Sequence, residues 1–217
     1  MDDQHNTVAG FHRRPVYDAV KRLFDLCVSL IAAVVLSPVL LGISIAVWAN
    51  DHGPVFYKAP RVGLHGRPIT VYKFRSMKLG ADRLEDMLTP EELEEYRVNF
   101  KLERDPRITS VGRFLRKTSL DELPQLFNII SGRLSLVGPR PVLQEETELY
   151  GEDRALLLSC KPGLTGLWQA SGRSNITYQD GARQALELRY VRERGFLLDL
   201  KILLKTFGAV VRMDGAK

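Results

Sequence analysis

The chain has 217 residues, of which 45% are hydrophobic, enough for one folded domain or one domain and an appendage. Its 31 Lys and Arg residues exceed its 26 Asp and Glu residues, and the resulting net charge of +5 favours an anionic membrane surface or a phosphorylated substrate. Nucleic acid is not expected as a partner, because the basic groups are not interleaved with aromatic residues and no nucleic-acid-binding motif is present. Cys27 and Cys160 form neither a metal-ligand spacing nor a disulfide framework.

An uncharged run, Leu26–Trp48, dominates the N-terminal part of the chain. As a straight helix it would be roughly 34 Å long, enough to cross the hydrocarbon core of a bilayer. Ser37-Pro38 lies at its middle, and Pro38 removes a backbone donor, so we expect a sharp bend there. We therefore predict a mobile polar tail over residues 1–15 and a membrane segment over residues 16–50.

Basic residues flank this run on both sides, including Arg13 and Arg14 before it and Lys58 and Arg61 after it. The positive-inside rule assigns such flanks to the cytoplasm. The residues alone leave two arrangements about equally favoured. One is a helix–break–helix that returns to the same membrane face, and the other is a kinked helix that crosses.

Residues 51–217 are expected to form a compact cytoplasmic domain of the α+β class, predominantly helical. Two β-type runs, Val55–Tyr57 and Ile69–Tyr72, are separated by Gly63–Gly66 and predict a small hairpin. Thr89-Pro90-Glu91-Glu92 has the residues of a helix start with a capping box. Further helical segments are predicted at Val142–Cys160, Tyr178–Arg194 and Phe196–Met213, with a glycine-rich loop over Leu164–Asn175.

The adjacent carboxylates Asp121 and Glu122 are the first candidates for catalysis. Pro124 belongs in the first turn of a helix, which places Asp121 at or next to the N-cap and Glu122 just inside. Carboxylates there interact with the positive end of the helix dipole and should stay ionised. An ionised aspartate can attack phosphorus, and a neighbouring carboxylate can help to hold Mg²⁺. From the pair alone, simple helix capping is an equally favoured alternative.

Basic residues in turns and at a strand end favour a phosphate site. Arg116, Arg140 and Arg173 lie in turn-rich or helix-start segments, where a guanidinium can bind phosphate oxygens in pairs. Lys73 and Arg75 lie at a strand end among aromatic residues and are further candidates. A surface ion pair is the alternative for each, and it is strongest for Arg75. The four histidines do not cluster, which argues against a histidine triad or a zinc site.

Several short motifs follow one another in a fixed order. They are Lys21-Arg22 with Asp25 before the broken apolar run, Tyr72–Met77, Arg104–Thr109, Leu120–Gln125, Val137–Pro141, Lys161–Gln169 and Ser171–Arg173. Together they resemble the bacterial sugar transferases, the monotopic phosphoglycosyl transferases, from roughly Val20 to the C terminus. The loop Gly163–Arg173 and the short chain most resemble the exopolysaccharide members, which transfer galactose- or glucose-phosphate.

The resemblance implies a reaction. Members transfer a sugar phosphate from a nucleoside diphosphate sugar to a polyprenol phosphate, and release UMP. The expected partners are therefore a UDP-sugar (UDP-galactose or UDP-glucose favoured), undecaprenyl phosphate and membrane lipid, at the bacterial inner membrane with the catalytic domain facing the cytoplasm. Asp121 matches the family nucleophile, which forms a covalent phosphosugar intermediate, and Glu122 matches its partner in handling Mg²⁺. Lys73 matches a lysine near the site, and Arg140 and Arg173 match positions associated with phosphate or nucleotide binding.

The resemblance also implies a re-entrant helix that breaks at a Ser-Pro pair, which favours re-entry at Ser37-Pro38. It supports helices at the bilayer surface, which could include Leu126–Ile130 and Phe196–Met213. Glu187 stands where relatives often carry aspartate. We expect its longer side chain to serve the same metal or hydrogen-bond role, and we count it among the substrate- and phosphate-binding candidates. Two other functions are kept open: a catalytically silent membrane adaptor of glycan assembly and a hydrolase of sugar nucleotides at the membrane surface. The sequence fixes neither the sugar nor the oligomeric state, for which a homodimer is one expectation.

Overall fold

The computed structural model describes residues 14–99, 102, 104–171, 178 and 181–212. Within this part the chain is mostly helical, as the sequence predicted, and it has two small sheets, of which only the hairpin was predicted. The elements are α1 Pro15–Val35, α2 Ser37–Asp51, β1 Phe56–Val62, β2 Pro68–Phe74, α3 Leu84–Met87, α4 Pro90–Asn99, α5 Ser110–Thr118, α6 Gln125–Ile130, β3 Ser135–Val137, α7 Arg154–Leu157, β4 Gly163–Thr165, α8 Leu167–Ser171, α9 Ala182–Glu193 and α10 Phe196–Arg212. Short 3-10 segments lie at Leu64–Gly66, Leu120–Glu122 and Glu145–Asp153.

The predicted bend in the apolar run is confirmed. Helices α1 and α2 meet at Leu36 with an angle of 63° between them. Pro38 has no amide hydrogen for the carbonyl of Val34, and the Ser37 hydroxyl donates to that carbonyl instead, at 2.7 Å. No single helix in the described ranges is long and apolar enough to cross a bilayer, but this bent pair has the combined length and composition of a broken span or a re-entrant loop.

Helix α1 presents its polar side to the protein and its apolar side outward. Its buried residues are Tyr17, Asp25 and Ser29, whereas Leu23 and Ile31 are exposed. A helix on the surface of a soluble domain has the opposite arrangement. The inversion is typical of a helix whose outer side faces lipid.

The polar side of α1 holds the parts of the chain that build the site. Arg22 donates to the carbonyl oxygens of Ile129 and Ile130 at the end of α6, at 2.6 and 2.8 Å. Asp25 accepts from the Ser135 hydroxyl at 2.7 Å and from the Leu136 amide at 3.2 Å, both in β3. Helix α1 therefore fixes α6 and β3 relative to one another.

The predicted hairpin is formed by β1 and β2, which pair antiparallel from Phe56 opposite Phe74 to Val62 opposite Pro68. Its inner face packs into the core against α6. Asn128 of α6 is completely buried there. Its side chain accepts from the Tyr72 amide at 2.9 Å and donates to the Thr70 carbonyl at 2.7 Å, which ties α6 to β2.

The second sheet pairs β3 with β4 in parallel, Ser135 opposite Gly163 and Val137 opposite Thr165. The backbone that follows β3 approaches that of β4 so closely that a Cβ on Gly138 would lie 2.5 Å from the Lys161 carbonyl oxygen. Only glycine fits in this approach. It brings the segment that carries Arg140 against the glycine-rich loop.

The structure differs from the sequence interpretation in two segments. The expected loop Leu164–Asn175 contains part of β4 and all of α8, and its remainder, residues 172–175, lies outside the described residues. The expected helix Val142–Cys160 is a 3-10 segment followed by the short α7. In α6, Leu126 and Ile129 pack into the core at 4% and 0% exposure while Phe127 is exposed, and the placement of this helix at the bilayer surface stays a prediction.

The capping box and the last two helices agree with prediction. The Thr89 hydroxyl accepts from the Glu92 amide at 3.2 Å, and the Glu92 carboxylate accepts from the Thr89 amide at 2.9 Å. Helices α9 and α10 lie within the predicted segments. Helix α10 buries Asp199 and Ile202 and exposes the apolar residues Leu197, Leu200, Leu204 and Phe207.

Candidate active site

The carboxylate pair lies in a 3-10 turn, Leu120–Glu122, between α5 and α6. Ser119, at φ +57°, ends α5 in the left-handed conformation and reverses the chain into this turn. Helix α6 begins only at Gln125, after Pro124. The expected N-cap position for Asp121 is therefore wrong: the residue precedes α6 by a turn of its own and has less of the helix dipole than the sequence suggested.

Asp121 is only 7% exposed. Burial raises the pKa of its carboxyl group to about 6, and the nearby charge of Glu122 raises that pKa further, while Lys73 and Arg116 oppose the shift. The dipole argument predicted an ionised carboxylate and did not include burial, which acts in the opposite direction. At pH 7 most of the Asp121 population is still ionised.

Two cations from other elements face the carboxylate pair. Lys73, near the end of β2, donates to a Glu122 carboxylate oxygen at 2.7 Å. Arg116, in the last turn of α5, donates through Nε to the Ser76 hydroxyl at 2.9 Å. The charges of Lys73 and Arg116 both act on Asp121. Four of the sequence candidates, from three segments, thus meet in one place.

Arg140 and Glu187 form the adjoining part of the site. The Arg140 amide donates to a Glu187 carboxylate oxygen at 3.0 Å. Glu187 is completely buried, and burial raises the pKa of its carboxyl group to about 7 against the opposing charges of Arg183 and Arg140. The charge of Glu122 acts on the Arg140 guanidinium, which links this part to the carboxylate pair.

Five residues near Arg140 were not identified as site candidates from the sequence: Arg61, Glu146, Trp168, Tyr178 and Arg183. A carboxylate oxygen of Glu146 accepts from the Tyr178 hydroxyl at 3.0 Å and lies 3.4 Å from Arg140 Nη1. The Arg183 guanidinium lies between two rings, 3.9 Å from the Tyr178 centroid and 4.3 Å from that of Trp168. One signal was available, because Arg183 and Glu187 are four residues apart and share a helix face.

Two candidates are not brought to this site in the described structure. Arg75 is buried in an ion pair with Asp51 at the end of α2, and its Nε donates to the Pro54 carbonyl at 2.6 Å. These contacts raise the pKa of the Arg75 guanidinium and match the ion-pair alternative rather than the phosphate role. Arg173 lies outside the described residues.

The donor set can be tested for Mg²⁺. No group of three or more His, Cys, Asp or Glu residues is placed to hold a metal ion within the described ranges. Mg²⁺ often uses only one or two carboxylates and completes its shell with water and substrate phosphates. The repulsion between Glu122 and Asp121, which contributes to the raised pKa, is an interaction that a cation would relieve. These two carboxylates therefore fit Mg²⁺ shared with a phosphorylated substrate.

Sequence comparisons give the family. The model of the bacterial sugar transferases matches residues 16–213. The chain belongs to the bacterial sugar transferase family. The family resemblance is thereby confirmed. Lys73, Asp121, Glu122 and Arg140 of the described site belong to the motifs that carried it, whereas Arg116 and Glu187 lie outside those motifs.

Three relatives illustrate the range of this family. The undecaprenyl-phosphate galactose phosphotransferase of Salmonella typhimurium is 44% identical over 200 residues, covering 91% of this chain and 41% of the relative. The exopolysaccharide production protein ExoY of Rhizobium meliloti is 44% identical over 206 residues, covering 94% and 90%. The UDP-glucose:undecaprenyl-phosphate glucose-1-phosphate transferase of Escherichia coli is 36% identical over 207 residues, covering 88% and 42%. The chain spans about two fifths of the Salmonella and Escherichia relatives and most of ExoY.

Proposed function

We propose that this protein is a phosphoglycosyl transferase that moves a hexose 1-phosphate from a UDP-sugar to undecaprenyl phosphate and releases UMP. The product would initiate the assembly of an exopolysaccharide or a related glycan. The names of the relatives support this class of reaction, and UDP-galactose and UDP-glucose are the favoured donors. The observation that carries the proposal is the buried Asp121 carboxylate, placed beside Glu122 and faced by Lys73 and Arg116.

In the first step, an Asp121 carboxylate oxygen attacks the β-phosphorus of the donor. The bond from that phosphorus to the bridging oxygen breaks, and UMP leaves with the oxygen and the bonding electrons. The product is a covalent phosphosugar on Asp121. A buried, poorly solvated carboxylate suits this role, because it loses little hydration when it approaches the phosphorus.

In the second step, a phosphate oxygen of undecaprenyl phosphate attacks the same phosphorus. The bond to Asp121 breaks, which regenerates the carboxylate and gives the lipid diphosphate sugar. Neither step requires a general base, since both attacking groups are anions. The two-step route lets UMP leave before the lipid reaches the phosphorus.

The chain's cations neutralise the charge that gathers around the phosphorus. Lys73 holds Glu122 through the 2.7 Å contact. Arg116 precedes the carboxylate turn in α5, and Arg140 follows it in the segment after β3. Fixed cations of this kind lower the barrier because they are already oriented when charge develops. Asp121 and Glu122 would hold Mg²⁺, which supplies further charge to the phosphate oxygens.

We further propose that α1 and α2 form a re-entrant loop, with the catalytic domain on the cytoplasmic face of the bacterial inner membrane. The bend at Leu36, the outward apolar side of α1 and the exposed apolar residues of α10 support this placement. The lipid phosphate sits at the membrane interface, and a site held at that depth by α1 can receive it together with a soluble donor.

The test is UMP release by full-length protein in nanodiscs with Mg²⁺, with and without undecaprenyl phosphate. UDP-galactose, UDP-glucose and the two UDP-N-acetylhexosamines are compared, each with wild type and Asp121→Asn. Lipid-dependent release from one donor, absent in the variant, is expected. UMP release at the same rate with and without undecaprenyl phosphate would identify a hydrolase. Silence with every donor, and no phosphosugar adduct on Asp121 by intact mass, would reject the transferase in favour of an adaptor.

A further inference from the structure

In the part of the chain that the structure describes, the region around Arg140 contains more positive charge than the neighbouring carboxylates balance. A single Glu146 oxygen lies 3.4 Å from Arg140 Nη1 and 3.7 Å from Arg183 Nη2. Both distances are longer than a strong charge-assisted hydrogen bond. The same Glu146 oxygen accepts a shorter hydrogen bond from the Tyr178 hydroxyl, at 3.0 Å. One carboxylate thus forms ion pairs with two guanidiniums, and both ion pairs are long.

The Arg183 guanidinium is buried, and part of it lacks hydrogen-bond partners among the described atoms. Its side chain is 8% exposed, and among the described atoms Nε and Nη2 have no hydrogen-bond partner. These two nitrogens form one edge of the guanidinium, the edge that binds two oxygens of a phosphate or carboxylate side by side. The Tyr178 and Trp168 rings hold the guanidinium plane in place. A buried, oriented fork that lacks hydrogen-bond partners among the described atoms is costly unless an oxyanion completes it.

Arg61 brings a third guanidinium from the hairpin. The amide of its neighbour Val62 donates to the Val142 carbonyl at 2.9 Å, which fixes the end of β1 beside the segment that carries Arg140. The Arg140 charge and burial both lower the pKa of the Arg61 guanidinium. Arg140 acts on Arg183 in the same way, after burial. Arg140 therefore repels both Arg61 and Arg183.

Three described carboxylates act on Arg140, and of these Glu122 is bound by Lys73, which leaves Glu146 and Glu187 to offset the three arginines. Glu146 is ionised, because Arg140, the Leu143 amide, Arg183 and Tyr178 together hold its pKa below the usual range against burial. Glu187, with a pKa raised to about 7, supplies only a fraction of a second negative charge at neutral pH. The region is complementary to a further anion with one or two charges.

We infer that Arg61 and Arg183, together with Arg140, form a phosphate-binding site in which Arg183 supplies a two-nitrogen fork. The proposed function, on which this inference rests for the ligand's identity, offers two sources of that phosphate group: the donor nucleotide and the polyprenyl phosphate. Both present the same oxygens, and the arms of one experiment separate them.

The experiment measures equilibrium binding of UMP and of farnesyl phosphate, a short polyprenyl phosphate, to full-length protein in nanodiscs. The variants are Arg61→Gln, Arg183→Gln and Arg183→Lys, the last keeping the charge without the fork. Arg67→Gln on the exposed hairpin connection and Arg189→Gln on the exposed side of α9 are matched controls. Thermal unfolding of every variant identifies those that fold, and binding is compared among these.

We expect Arg61→Gln and Arg183→Gln to raise the Kd of one probe about tenfold or more, as is typical for loss of a charge-assisted hydrogen bond. Arg183→Lys should recover part of this loss, and the two controls should stay within about twofold of wild type. A loss confined to UMP assigns the site to the donor, and one confined to farnesyl phosphate assigns it to the lipid. If neither probe distinguishes the folded variants from the controls, the inference is wrong.

This outcome is independent of turnover. Arginine-dependent binding in a protein that releases UMP from no donor would leave the phosphate site standing and reject the proposed reaction. Normal turnover with unchanged binding in the arginine variants would reject the phosphate site and leave the proposed reaction standing.

Discussion

The buried carboxylate of Glu187 accepts a hydrogen bond from the backbone amide of Arg140 at 3.0 Å, across 47 residues of sequence. Through it α9 fixes the backbone from which the Arg140 side chain extends. Arg140 lies in Pro139-Arg140-Pro141, and the flanking prolines restrict that backbone further. We therefore expect Glu187 to act on the proposed reaction through Arg140 and not by contact with the substrate.

We predict that Glu187→Gln retains most activity, because an amide oxygen can accept the same hydrogen bond, whereas Glu187→Ala loses about tenfold or more in kcat/KM. The measurement is steady-state UMP release for both variants, with thermal unfolding as a check on folding. Equal losses in the two variants would show that the charge matters and not the acceptor, and would contradict this positioning role.

We predict that Asp121→Asn abolishes turnover and also stabilises the protein. The raised pKa of Asp121, about 6 against 3.8, means that the folded state disfavours the ionised carboxylate. This penalty is absent below the unfolded pKa, grows as pH rises from about 4 to 6, and is complete above the folded pKa. The amide avoids it, so the variant should gain about 1–3 kcal/mol at pH 7.5 and little at pH 4.

Chemical denaturation of both proteins at the two pH values tests this gain. Glu85→Gln, a change at an exposed carboxylate of α3, is the control and should give no pH-dependent gain. A variant that is less stable than wild type at pH 7.5 would mean that the Asp121 carboxylate is held by favourable contacts, contrary to the burial argument.

We predict that Lys73 affects the acid limb of the pH–rate profile, which is the fall of kcat/KM at low pH as Asp121 becomes protonated. Its charge opposes the rise of the Asp121 pKa, and its ammonium group is 2.7 Å from Glu122. Lys73→Met should therefore move the acid limb of kcat/KM to higher pH and lower the maximal rate. Lys58→Met, on the exposed part of the same hairpin, should leave the limb in place. An unmoved limb in Lys73→Met would assign that limb to another group.

Features set by residues close together in sequence could be predicted, and features set by residues distant in sequence could not. The bend at Ser37-Pro38, the hairpin and the capping box at Thr89 are set by neighbouring residues, and their sequence signals were correct. The rise of the Asp121 pKa was not predicted, because it depends on burial by residues distant in sequence. Arg183 and Glu146 were missed for the same reason: each becomes a candidate only once the fold places it against Arg140.

Arg75 is predicted to stabilise the fold without taking part in the reaction. Its ion pair with Asp51 joins the end of α2 to the end of β2. Arg75→Gln should cost about 1–3 kcal/mol of unfolding free energy, because it leaves Asp51 without its partner. In the Asp51→Asn background the same change should cost much less, and kcat of the folded protein should stay within about twofold of wild type. A double-mutant cycle in urea, with kinetics on each variant, measures both; a large fall in kcat without loss of stability would restore Arg75 as a substrate ligand.

The final prediction concerns the path of α1 and α2 through the membrane. A re-entrant loop returns both ends to the cytoplasmic face, whereas a crossing helix separates them by the thickness of the bilayer. Val16 and His52 lie at the two ends of the pair and are exposed. In a background with Cys27→Ser and Cys160→Ser, we expect Val16→Cys and His52→Cys to react with a membrane-impermeant thiol reagent only from the cytoplasmic side. Labelling of one position from each side would establish a kinked span, and the catalytic domain would then have to reach its lipid substrate without the support of a loop that returns to the same leaflet.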